Sequence, residues 1–97
     1  MRVISRKTLR EFWILHADSE QALKAWFSEA ESAKWTSPSK IKTLYPTASI
    51  LSDNRVVFKI RGNTYRIIVK VNYDYGLIYI RFVGTHAEYD KIDAIRI

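Results

Sequence analysis

Residues 55–71 read RVVFKIRGNTYRIIVKV, and the way their two halves pair decides the fold. Gly62 and Asn63 can supply the positive φ angles that a two-residue turn requires, so the stretch is predicted to form a hairpin. With that turn Ile60 faces Tyr65, Phe58 faces Ile67 and Val56 faces Val69, and every pair is apolar. The alternate positions place Lys59 opposite Arg66 on the other face, with Arg61 and Lys70. The next turn, YDYG at 73–76, permits a second hairpin with Val71 opposite Ile78, Val69 opposite Ile80 and Ile67 opposite Phe82. Tyr79 and Arg81 then join the charged face. Two registers chosen on different residues agree on one apolar and one basic face.

Upstream the period changes from two to that of a helix. RVIS at 2–5 reads as a short first strand, and Ser5 can cap a helix beginning at residue 6. Leu9, Phe12, Trp13 and His16 recur at i, i+3, i+4 and i+7; Leu23, Trp26, Phe27 and Ala30 repeat the spacing. Two amphipathic helices are therefore expected over 6–16 and 19–34, the second started by Asp18 with Gln21, and His16 is assigned to core packing. TSPSKIKTLYPTAS at 36–49, with two prolines, reads as a loop holding at most one helical turn. The fold class is α+β: two N-terminal helices on one face of a small, mainly antiparallel sheet. At 97 residues with 47% apolar content, the chain is expected to be a single domain spanning 1–97.

With no cysteine there is neither a disulfide framework nor a thiolate metal site. No run approaches the ~20 apolar residues of a membrane span and no signal peptide opens the chain, so the expected location is the cytoplasm, away from membranes. Sixteen Lys and Arg against ten Asp and Glu give a net charge of +6, which favours phosphate-bearing or acidic partners. Like charges directly across a ladder are unfavourable, and no acid within the strands offsets Lys59, Arg66 and Arg81. The face therefore reads as an anion-binding surface, with arginine forks for phosphate oxygens and Tyr79 for stacking bases.

After the last strand comes THAEYD, 85–90. Thr85 and Glu88 fit a capping box that starts a short helix. On such a turn His86, Tyr89 and Asp90 stand at i, i+3 and i+4, hence on one side. Histidine can take or give a proton at neutral pH, and tyrosine can hydrogen-bond the same centre. Only two histidines exist and carboxylates do not cluster on the basic face, so no metal and no cofactor is expected. No serine is placed by spacing near His86 to form a nucleophilic triad. What remains is phosphate chemistry without metal, in which the 2′-hydroxyl of RNA is itself the nucleophile.

The pieces GN-x-YR, YIRFVGTH and THAEYD within 56–93, with the opening MRVISRKTLREFW, resemble the HigB family of type II toxins in the wider RelE-like group. The resemblance implies an endoribonuclease that cuts mRNA on the ribosome and inhibits translation. It also implies a cognate antitoxin, commonly a helix-turn-helix protein. By resemblance Arg66 matches the central-strand arginine that contacts the scissile phosphate. Arg81, His86 and Tyr89 lie in the family's C-terminal signature of acid–base and phosphate-contacting residues. Lys59 lies near a lysine position, and Lys70 and Tyr79 join it as RNA-binding residues. Related toxins often carry a second lysine where this chain has Val57, which leaves His86 either to replace it as base or only to bind RNA. A non-catalytic RNA- or ribosome-binding module is the alternative, and a basic subunit receiving an acidic protein the third reading.

Overall fold

A computed structural model describes all residues, 1–97. The chain runs β1 (Arg2–Ile4), α1 (Arg6–Leu15), a 3-10 turn (Ala17–Ser19), α2 (Glu20–Ser32), α3 (Pro38–Leu44), β2 (Ser49–Ile50), β3 (Arg55–Ile60), β4 (Tyr65–Asn72), β5 (Leu77–Thr85) and α4 (His86–Tyr89). The five strands form one sheet in the order β1-β5-β4-β3-β2, antiparallel except where β1 runs parallel to β5. This is the α+β arrangement expected, and no helix is long and apolar enough to cross a membrane.

The β3–β4 hairpin pairs as its alternation dictates: Val56 with Val69, Phe58 with Ile67, Lys59 with Arg66 and Ile60 with Tyr65. Its turn differs from the prediction. Arg61 and Gly62, rather than Gly62 and Asn63, take positive φ, at 54° and 65°. On the other side of β4, Val71 meets Ile78 and Val69 meets Ile80, but the register then shifts. Ile68 pairs with Phe82 and Ile67 with Val83, so Arg81 is the extra residue of a bulge and the expected pair Ile67–Phe82 does not form. Past the bulge every side chain of β5 changes face.

The core lies between the sheet and the helices. Leu9 and Trp13 of α1, Leu23, Trp26 and Ala30 of α2, and Ile41 of α3 pack with Val56, Phe58, Ile67, Val69, Val71 and Ile78. Phe58 anchors an aromatic cluster, with Trp26 at 5.3 Å and Tyr45 at 5.1 Å, both edge-on. The helices form where the 3.6-residue period placed them, with different ends. Residues 36–49 hold a two-turn helix, α3, because Pro38 sits in its first turn, where no amide donor is needed. Ser5 occupies the N-cap of α1 without a side-chain bond, and Ser19, not Asp18, is the N-cap residue of α2. Asp18 instead accepts a hydrogen bond from the Tyr65 hydroxyl and pairs with Arg61 at 3.2 Å, tying the hairpin turn to the α1–α2 junction. That bond to Asp18 is the main reason the Tyr65 phenol stays protonated to higher pH than usual. His16 is half-buried rather than buried in the core, its ring stacked on Phe12 at 4.3 Å.

The opposite face is not a plain basic surface. Val57 and Ile68 are buried there, outside the helix-side core. Arg55 is only 5% exposed, and its guanidinium donates to the main-chain oxygen of Ile97 at 2.6 and 3.2 Å. The segment after α4 thus returns across this side of the sheet.

Candidate active site

Register divides the face turned away from α1 and α2 into three rows across β3, β4 and β5. Arg55, Lys70 and Tyr79 form the first, Val57, Ile68 and Phe82 the second, and Lys59, Arg66 and Gly84 the third. The bulge at Arg81 brings Phe82 and Gly84 to this face. Gly84 is needed there, because a Cβ would come within 2.4 Å of the Phe82 ring. Bulges that re-aim side chains recur beside active sites.

Arg66 is 6% exposed. Its Nη1 donates to the Asn63 carbonyl at 2.9 Å, and its guanidinium lies 5.5 Å from the centre of the Tyr89 ring. Both contacts orient the fork without neutralising it. Lys59, directly across the ladder, is exposed, and no carboxylate pairs with Lys59, Arg66 or Arg81. The hairpin thus keeps two cations side by side for an anion from outside.

α4 is fixed beside them by two devices. Thr85 and Glu88 form both halves of the capping box, at 3.1 and 2.8 Å, and the Thr85 amide holds the Glu88 carboxyl below the usual range. The His86 amide donates to the Thr64 carbonyl at 3.1 Å, locking the helix start to the β3–β4 turn. The side chain of His86 then meets Asp90, Nδ1 to Oδ2 at 3.0 Å. A carboxylate there selects the tautomer protonated on Nδ1 and leaves Nε2 free to accept a proton. No group of three or more His, Asp or Glu side chains converges to hold a metal ion.

Lys59, Arg66 and Tyr89 are therefore brought together, with His86 on the same short helix as Tyr89 and its partner Asp90 at the C-cap. Lys70 and Tyr79 are not with them. They face each other in the first row, four residues along β4 from Arg66, or about 13 Å. There Lys70 pairs with Asp53 at 3.3 Å; Asp53 also binds Arg55 at 2.7 Å, and these cations hold its carboxyl below the usual range. Arg81 is exposed at the bulge and unpaired in the ladder. Sequence reasoning missed Phe82 and Gly84, whose signal is the glycine inside a strand, and the oxygen of Asn63 that holds Arg66.

The sequence model of a family described as HigB_toxin, the RelE-like toxic component of a toxin-antitoxin system, matches residues 19–92. Curated relatives include the "mRNA interferase toxin HigB" of Escherichia coli strain K12. It is 27% identical over 97 residues, covering 98% of this chain and 93% of the relative. The "mRNA interferase HigB" of Shigella flexneri has the same identity and coverage. A second "mRNA interferase HigB", from Escherichia coli O6:H1, is 22% identical, covering 95% of this chain and 91% of the relative.

Proposed function

The chain belongs to the HigB family of RelE-like toxins, and from that premise we propose that it is a metal-independent endoribonuclease. It cuts mRNA on the translating ribosome, in the cytoplasm, and is restrained by a cognate helix-turn-helix antitoxin. As with the relatives named mRNA interferases, the product of its action is a broken message. The observation that carries this reading is the placement of Arg66 beside Lys59 and Tyr89, uncompensated by any carboxylate, at the foot of the helix that carries His86.

The chemistry follows from that placement. The 2′-hydroxyl of the substrate loses its proton and attacks the adjacent phosphorus. The bond to the 5′-oxygen breaks, that oxygen takes up a proton, and a 2′,3′-cyclic phosphate and a 5′-hydroxyl result. Arg66 and Lys59 balance the charge that builds on the phosphorane oxygens, where preorganised donors act most strongly. His86, through Nε2, and Tyr89 are the two groups that move protons, and Asp90 steadies the imidazole. Arg66 is almost covered in the free protein, so its fork is offered fully only once the groups packed over it are displaced. A substrate held by the ribosome supplies that displacement, which gives ribosome dependence a physical cause.

The test is induction of wild type beside Arg66→Ala and His86→Ala, with growth followed and transcript 5′ ends mapped. Wild type is expected to halt growth and create new ends inside translated frames, and both variants are expected to lose these. Growth arrest with intact transcripts would favour a non-catalytic RNA- or ribosome-binding module instead.

A further inference from the structure

At the first-row end of the same face lies a cavity of about 450 Å³ that the cleavage chemistry leaves unused. Its walls include Asn54, Lys70, Asn72, Tyr73, Asp74 and Tyr79. The volume is that of a small-molecule pocket. Its polar groups are mixed in sense: carboxamides offer both donors and acceptors, Asp74 only accepts and Lys70 only donates. A phosphate site is built of donors, and Asp74 would repel a phosphate. A nucleobase matches the mixture, because its edge carries both donors and acceptors and its face stacks on a ring such as Tyr79.

The lining is also held in place. The Oδ1 of Asn72 accepts from the Tyr75 amide at 3.1 Å, which fixes the carboxamide and leaves its amino group free to donate. Asp53 tethers the Lys70 ammonium at 3.3 Å. Asn54 is held by the tight turn from β2 into β3, in which Asp53 and Asn54 both take φ of 57°. Tyr73 packs against the helix-side core and closes the cavity from below. Lys70 and Arg66 share one face of β4, about 13 Å apart, with Ile68 between them.

We infer that this cavity binds one base of the RNA strand whose scissile phosphate lies at Arg66, and so sets a sequence preference a few nucleotides from the cut. The inference rests on the proposed ribonuclease reading, with Asn72 and Asp74 reading the base edge and Tyr79 stacking on its face.

Short fluorescent oligoribonucleotides of a single base, all-A, all-C, all-G and all-U, titrated against wild type, Asn72→Ala, Tyr79→Ala and Tyr79→Phe, test the pocket without any cleavage. Wild type is expected to bind one of the four about tenfold or more tighter than the weakest. Asn72→Ala should level that preference. Tyr79→Ala should weaken all four about tenfold, while Tyr79→Phe, which keeps the ring, should not. Equal affinity of wild type for all four, or a preference that survives both alanine variants, overturns the inference. A preference lost in Asn72→Ala, from a wild type that leaves cellular transcripts uncut, would support the pocket and sink the cleavage reading alone.

Discussion

The two faces of the sheet bury comparable side chains under different demands. Toward α1 and α2 the inward residues are apolar without interruption, and Trp26, Phe58 and Ile67 are almost wholly buried. On the other face one apolar row, Val57, Ile68 and Phe82, runs between two polar rows, and α4 and the chain end cover it only in part. The first face contributes stability alone. The second gives some of that up to hold Lys59 and Arg66 together, in the row next to its apolar one.

Substitutions can strain either face. Trp26→Ala is expected to cost about 3–5 kcal/mol of unfolding free energy, since it empties the centre of the helix-side core. Denaturant titration measures it, and cleavage per folded molecule should persist. Ile68→Ala, on the second face, should cost about 2–5 kcal/mol and also slow cleavage, because Ile68 is buried in the row beside Arg66. If Ile68→Ala lost stability alone, the second face would be merely a smaller core. Gly84→Ala should cost about 1–3 kcal/mol by driving a methyl into the Phe82 ring, and pairing it with Phe82→Leu should recover part of that.

The smallest effect concerns α4. Glu88→Gln keeps the shape of the capping box but removes its charge. The carboxyl is held below its usual range, so its stabilisation is fully present above the unfolded value, about 4.3. It is lost as pH falls through the folded value. Wild type should therefore exceed the variant in stability at neutral pH by about 1 kcal/mol or less, and the difference should close in acid. A gap that widened in acid would contradict the assignment.

Much of this was legible in the residues. Alternation gave the β3–β4 register, and Thr85 with Glu88 announced α4 and its capping box. The bulge was hidden, because Ile78, Ile80 and Phe82 keep a perfect alternation that the backbone breaks at Arg81. The neighbouring Gly84 was the available sign. Doubled apolar pairs, Val56 with Val57 and Ile67 with Ile68, showed that mid-strand both faces are covered, a pattern of strands buried on two sides. Reading only one face as apolar merged two separate polar rows, so Lys70 and Tyr79, expected as RNA-binding residues with Lys59, stand at the cavity about 13 Å along β4 from Arg66. Asp18 has the spacing of a helix start, but its partner Tyr65 is 47 residues away, a contact no local pattern records.

The central claim is that the uncompensated guanidinium of Arg66 acts on the scissile phosphate. Single-turnover cleavage of message on programmed ribosomes, comparing wild type with Arg66→Ala after thermal unfolding shows both folded, tests it most directly. The rate is predicted to fall about 100-fold or more; a variant that cuts within about twofold of wild type would contradict the account.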